Sequence, residues 1–300
     1  MTMRTKGDLC GITVRDEDTY GKISTTNTSR YAGTLITLKI TDDRETDTIA
    51  QCGSMVRAGL FEVSRSASFK ATFNQVRGTS WEDWMIKALG SGSGVTSDIP
   101  SFDAAFRIAA GEFHLLTGCK VNTFTLTSGS IGGKLELSVD AVGRWHTMTP
   151  FTDSDGSSLT FASVAVPAGI PVTHNADWEW SKDGVTFTPI RAKGFTLTIG
   201  RSLQSDPGFS SSADDAIRLE AGEDSVPQDI SITLDLTVTS TGPEWDRLRL
   251  AFTDGVTLRT VIDGKTVTLK GCVLDIEGPD RSQGTYDETI SFDAADATVV

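Results

Sequence analysis

The side chains that most often do chemistry are sparse in this 300-residue chain and stand apart from one another. Its three histidines are His114, His146 and His174. None pairs with another at metal-ligand spacing, and none stands beside a nucleophile motif. The four cysteines, Cys10, Cys52, Cys119 and Cys272, lack the short spacing of a zinc knuckle or a redox pair. They read as reduced thiols, with Cys119 and Cys272 as small core hydrophobes. Gly90-Ser91-Gly92-Ser93-Gly94 follows a predicted helix instead of opening one, so it is a connector and not a phosphate-binding loop. The run Thr41-Asp42-Asp43-Arg44-Glu45-Thr46-Asp47 offers oxygen ligands without the regular spacing of a calcium loop, and reads as a solvated turn. A hydrolase would need two facing carboxylates, and nothing singles out two among the 40 Asp and Glu. The chemistry therefore points to no catalytic residue, no metal and no cofactor. One binding feature stands out: Trp178 and Trp180 fall on one face of a predicted strand and could form an exposed platform for sugar rings.

The elements that would position these groups are mostly strands. Leu35 to Ile40, Ser68 to Phe73, Val121 to Thr127, Gly194 to Ile199 and Ile230 to Leu236 alternate apolar and polar residues. That period of two, rich in β-branched residues, predicts strands with one buried face. Asp183-Gly184, Asp254-Gly255 and Asp263-Gly264 punctuate them as turns. Two segments break the pattern. Thr79-Ser80 cap Trp81 to Leu89, and Gly90 ends it, which predicts a short helix. Pro243 opens a second, Glu244 to Phe252, with Trp245, Leu248 and Phe252 on one side. Trp81, Trp84, Trp245 and Phe252 are the candidate residues that pack each helix on its sheet, with contact to a neighbour as a second role.

These elements recur. Gly118-Cys119 precedes Ser138-Val139-Asp140-Ala141 by the same distance that separates Gly271-Cys272 from Ser291-Phe292-Asp293-Ala294. Phe69 and Phe73 stand before the first helix as Ile232 and Leu236 stand before the second. The repeat predicts two tandem units of a mainly β fold: 1–150, a connector with a Trp178–Phe187 hairpin over 151–190, and 191–300. Polar loops are expected at 41–56 and 203–227, and loops of that length tend to be functional or ordered by a partner.

Charge divides along the same line. Residues 1–150 hold 16 Lys and Arg against 16 Asp and Glu, so the net charge of −13 belongs to residues 151–300. An acidic surface cannot release counterions from a phosphate backbone, although it can act as a wall that repels one, and it also serves solubility. The N-terminus lacks the apolar run of a signal peptide and no stretch approaches a bilayer span, so the reading is a soluble protein made in a cytoplasm, without a membrane partner.

The helix ending in Ala88-Leu89-Gly90-Ser91-Gly92, the run Thr117 to Leu126, the block Gly132 to Arg144 and the strand Gly194 to Ile199 together resemble the tail tube proteins of long-tailed, siphovirus-like bacteriophages. The resemblance implies β-sandwich or β-barrel modules, each flanked by one short α-helix, that form stacked rings around a channel for DNA. It implies a virion tail component, made in the host cytoplasm, that meets other tail proteins at the tube ends and lets viral DNA pass without specific binding. With two modules per chain, three chains would complete a pseudo-sixfold ring, and a homohexamer is the alternative. Candidate lumen-facing residues are Glu136, Asp140, Asp235, Glu288 and Asp293. A carbohydrate-binding or adhesin module built on Trp178 and Trp180 is the reading from a different class, and a hydrolase is a third.

Overall fold

The computed structural model describes residues 11–18, 20–21, 27, 29–50, 57–75, 80–109, 112–130, 132–148, 151–152, 158–159, 172–174, 177–203, 205–207, 219–221, 230–239, 255–275 and 287–300. In chain order, β1 (Gly11–Asp16), β2 (Arg30–Tyr31), β3 (Thr34–Ala50) and β4 (Arg57–Gln75) lead into the helix α1 (Ser80–Leu89). A short hairpin, β5 (Gly90–Ser91) and β6 (Gly94–Val95), follows it. Then come β7 (Phe102–Ala109), β8 (Glu112–Ser128), β9 (Gly133–Lys134), β10 (Glu136–Gly143) and β11 (Trp145–Met148). The rest of the chain holds β12 (Phe151–Thr152), β13 (Ser158–Leu159), β14 (Thr173–His174), β15 (Asp177–Ser181), β16 (Thr188–Gly200), β17 (Ser205–Pro207) and β18 (Leu219–Ala221). It closes with β19 (Ser231–Thr239), β20 (Val256–Ile262), β21 (Lys265–Asp275), β22 (Asp287–Asp293) and β23 (Asp296–Val299).

The fold is mainly β and antiparallel. One set of strands pairs in the order β3-β4-β10-β8-β7-β1, with β11 also on β8. A second pairs in the order β16-β19-β22-β21-β20-β15 and closes on itself where β15 pairs back with β16, with β23 also on β21. β16 then pairs with β8, so β3-β4-β10-β8-β16-β19-β22-β21 is one continuous sheet of eight strands.

Each Gly-Cys pair explains how one strand serves two layers. Gly118 sits mid-way along β8 at φ 64°, and Gly271 mid-way along β21 at φ 63°. Up to Cys119, β8 pairs with β7 and β11; beyond it, with β10 and β16. β21 does the same, pairing β20 and β23 up to Cys272 and β22 beyond it. A left-handed residue bends the strand out of one layer and into the next, and only glycine adopts that conformation without strain. At both bends the following strand docks back: Arg144 N–H donates to Thr117 O at 2.8 Å, and Ala295 N–H to Lys270 O at 3.0 Å. Cys119 and Cys272 are buried free thiols just past the bends. Burial pushes the Cys119 thiol well up and the Cys272 thiol to about 12.

The core fills the space between layers. Trp84 of α1 packs edge-on to Phe102, with ring centres 5.4 Å apart, and against Phe69 and Phe73 of β4. Its indole N–H donates to Ala32 O at 2.9 Å. Leu197, Ile199, Leu234, Leu236, Ile290 and Phe292 alternate inward from the other strands.

Three sequence expectations need correction. Residues 41–50 are not loop: β3 and β4 run on as a hairpin from Asp43↔Ser66 to Ala50↔Arg57. Within 203–227, β17 and β18 form a small two-stranded sheet. The equally spaced blocks are also not in equal places, because Ala141 stands opposite Val121, two residues past Cys119, whereas Phe292 stands opposite Leu274, two past Cys272. The offset is even, so each side chain keeps its face. The predicted second helix, with Trp245 and Phe252, lies outside the described residues.

The bends generate a prediction. A Cβ on Gly118 would stand 2.7 Å from Arg144 Cβ, and one on Gly271 3.0 Å from Ala295 Cβ. Gly118→Ala and Gly271→Ala should each lose about 1–3 kcal/mol, with Gly118→Ala the worse, read as the drop in thermal midpoint against wild type.

Candidate functional site

Alternation gives the eight-strand sheet one face packed on the core and one face turned away from it. On β10, Leu137, Val139, Ala141 and Gly143 are buried, and Glu136, Ser138, Asp140 and Val142 take the other face. The registers carry that second face across all eight strands. Thr37 stands opposite Thr72, Thr72 opposite Ser138, and Ser138 opposite Thr125. Thr125 meets Thr198 across the β8–β16 seam, and the row continues through Thr233 to Asp293 and Val273. A second row runs Glu136, Thr127, Thr196, Asp235, Ser291. A third runs Lys39, Lys70, Asp140, Thr123, Gly200, Ser231. The face is therefore a field of hydroxyls with a few charges.

Four of the five acidic candidates share this face. Glu136 and Asp293 are exposed, and Asp140 and Asp235 are half-buried. Asp235 accepts a hydrogen bond from Ser291 Oγ at 2.6 Å. Asp140 faces Lys70 across the β10–β4 ladder. Burial raises the Asp140 carboxyl above its ordinary value, and the Lys70 charge partly opposes that rise. The side chain of Glu288, the fifth candidate, lies outside the described residues. The threonine rows and the paired Lys39 and Lys70 went unread in the sequence, because single hydroxyls on alternating strands look like any solvent face until the registers align them.

On the opposite side of the first four strands, Trp81 and Trp84 of α1 are both buried. Trp84 packs the helix against Phe69 and Phe73 of β4. Trp178 and Trp180 do not form an exposed pair. Trp178 is 0% exposed and packs edge-on to Phe195 at 5.6 Å, and the His174 ring packs edge-on to Phe195 at 4.9 Å. Only Trp180 is half-buried at the surface. A two-residue spacing puts both rings on one side of β15, but that side is the core, which removes the sugar platform. Among the described residues no group of three His, Cys, Asp or Glu side chains converges on a metal position.

Hydroxyls and spaced carboxylates on a sheet offer an extended polar surface. The sheet also offers an edge. β3 ends it with no partner on its outer side among the described residues. An unpaired strand edge invites another strand.

Comparison with known proteins identifies one family. The sequence model of one family, described as phage tail tube protein, matches residues 7–294. No curated protein matches the chain.

The Asp140–Lys70 pair can be tested by carboxyl 13C NMR titration. Asp140 should titrate above 3.8, the ordinary value, and higher still in Lys70→Met, which removes the opposing charge. Because the folded value is the higher one, this group stabilises the fold as pH falls through it and disfavours the fold above it. Asp140→Asn should therefore flatten that part of the pH–stability curve.

Proposed function

The chain belongs to the phage tail tube protein family, and we propose that it builds the tube from stacked rings of three chains, each chain supplying two tandem modules around a channel for viral DNA. As a member of that family it is a structural component of the virion tail that assembles with itself into a tube, and the family is not a class of enzymes.

The observation that carries the proposal is the recurrence of one pairing order on both sides of the β8–β16 seam. In this reading the modules occupy 1–150 and 191–300, joined through 151–190. The seam between them inside one chain is the pattern for the seam between chains, with β3 as the receiving edge. Closing the ring leaves no edge open, which is the physical advantage of a barrel. Three chains of eight strands make about 24 strands, and at roughly 4.8 Å apiece the circle is about 115 Å around and about 37 Å across between backbones. Strand tilt widens it further. Side chains leave a bore that a DNA duplex can thread.

The hydroxyl face then lines the channel, with Glu136, Asp140, Asp235 and Asp293 as its acidic residues. Carboxylates give phosphate no partner, and neutral hydroxyls release no counterions, so DNA passes without specific binding. Lys39 and Lys70 offset the acids of the first module, while the second presents Asp235 and Asp293, so the lining alternates between near-neutral and acidic around the ring. Trp81 and Trp84 hold the first helix, with neighbouring modules as secondary contacts. The subunit is made in the host cytoplasm, and other tail proteins cap the tube ends.

Two measurements test this. The smallest closed ring should contain three copies of the 32.1 kDa chain by mass photometry or native mass spectrometry; six copies would contradict it. Tubes carrying Thr125→Lys with Thr198→Lys should retain duplex DNA at low salt and release it steeply as salt rises, whereas wild-type tubes retain little. Equal release from both would remove this face from the channel.

A further inference from the structure

We infer that Arg201 is the positioning residue of the ring, fixing the angle between the two halves of the chain by gripping the end of the first half's helix from the second half. The inference rests on the ring reading above.

Arg201 follows the last residue of β16 and is 0% exposed. Its guanidinium spends its donors on three carbonyls of the first half. Nε donates to Ala88 O at 2.6 Å, Nη1 donates to Thr96 O at 2.7 Å, and Nη2 donates to Leu89 O. Ala88 and Leu89 end α1, where carbonyls lack intrahelical partners and the helix dipole favours a cation. Among the described residues, no carboxylate is one of its hydrogen-bond partners. Burial lowers its pKa only to about 10, so the group stays charged at neutral pH. A buried cation held by carbonyls alone is costly, and such groups persist where they specify one geometry. The planar fork suits this task, since it satisfies carbonyls in several directions at once.

The stem is held as firmly as the head. Arg201 N–H donates to Asn122 O at 2.8 Å, and Leu203 N–H donates to Asn122 Oδ1 at 2.9 Å. Asn122 lies on β8, in the sheet that would line the channel, while α1 lies on the other side of that sheet. Arg201 therefore ties the second half to the first at two depths. Pairing along β8–β16 alone would leave a hinge, because a single line of contact lets two bodies rock about it. Contact on a second line removes that freedom. Further contacts lie along the second line: Lys265 Nζ to Glu82 Oε1 at 3.0 Å, and Val299 N–H to Gly92 O at 2.9 Å. Arg201 is the buried, multiply bonded member of that set. In a ring of six modules, half of the inter-module angles lie inside chains, and an error in any of them prevents closure.

The test compares three full-length variants for ring closure and thermal midpoint. Arg201→Met keeps apolar volume and removes every guanidinium donor, Arg201→Lys keeps one charged head, and Leu197→Ala removes core packing at the buried face of β16. With stability matched by temperature, Arg201→Met should yield closed rings at least about tenfold below wild type, the scale of losing one charge-assisted hydrogen bond. Open arcs and lone subunits should take their place in electron micrographs. Arg201→Lys should recover part of the closure, and Leu197→Ala should close rings in proportion to its folded fraction. Equal closure by Arg201→Met and Leu197→Ala at matched stability would overturn the inference. If Arg201→Met does not fold, Arg201→Lys against Leu197→Ala decides in the same way. Failure of the wild-type chain to close any ring would instead bring down the proposed function itself.

Discussion

The structure depends on the seam where β16 lies along β8. A strand with a free edge exposes a row of N–H and C=O groups that must find partners. Here the second half of the chain supplies them, register by register, from Phe195↔Ser128 to Gly200↔Thr123. Two smaller sheets become one, and its far face becomes continuous. Everything assigned to function, from the threonine rows to the shared acidic face, follows from that continuity.

The seam is possible because of the bends. β8 can donate an edge to β16 only after it has left β7 and β11, and Gly118 is where it leaves. The same residue type in the same backbone state bends β21 at Gly271. Burial of Cys119 and Cys272 beside the bends fills the space that opens between layers. The Gly-Cys signal is thus a device for passing a strand between two sheets, and the thiol serves as a compact apolar group.

Much of this was legible in the sequence. The five alternating runs and the Trp81–Leu89 helix reappear as elements, and four acidic candidates share a face because parity survives folding. What was not legible has particular causes. The tryptophans of β15 share a side, but alternation does not say which side is covered, and it is Phe195 of β16 that packs against Trp178 there. The charged stretch at 41–50 has no apolar period, yet it pairs along β4, whose own backbone supplies the partners. The two-residue offset at Ser291–Ala294 is a matter of strand register, which equal spacing hides. Arg201 left no signal, since a lone arginine after a strand does not announce a helix end more than a hundred residues upstream.

The central claim is that the internal seam is repeated between chains until the barrel closes. A cryo-electron microscopy reconstruction of the assembled tube tests it most directly. The account predicts threefold symmetry about the axis, with a strand from the next chain paired along the outer edge of β3 and the Thr125–Thr198 row facing the bore. Six equivalent chains per ring, or a β3 edge left open to solvent, would contradict it.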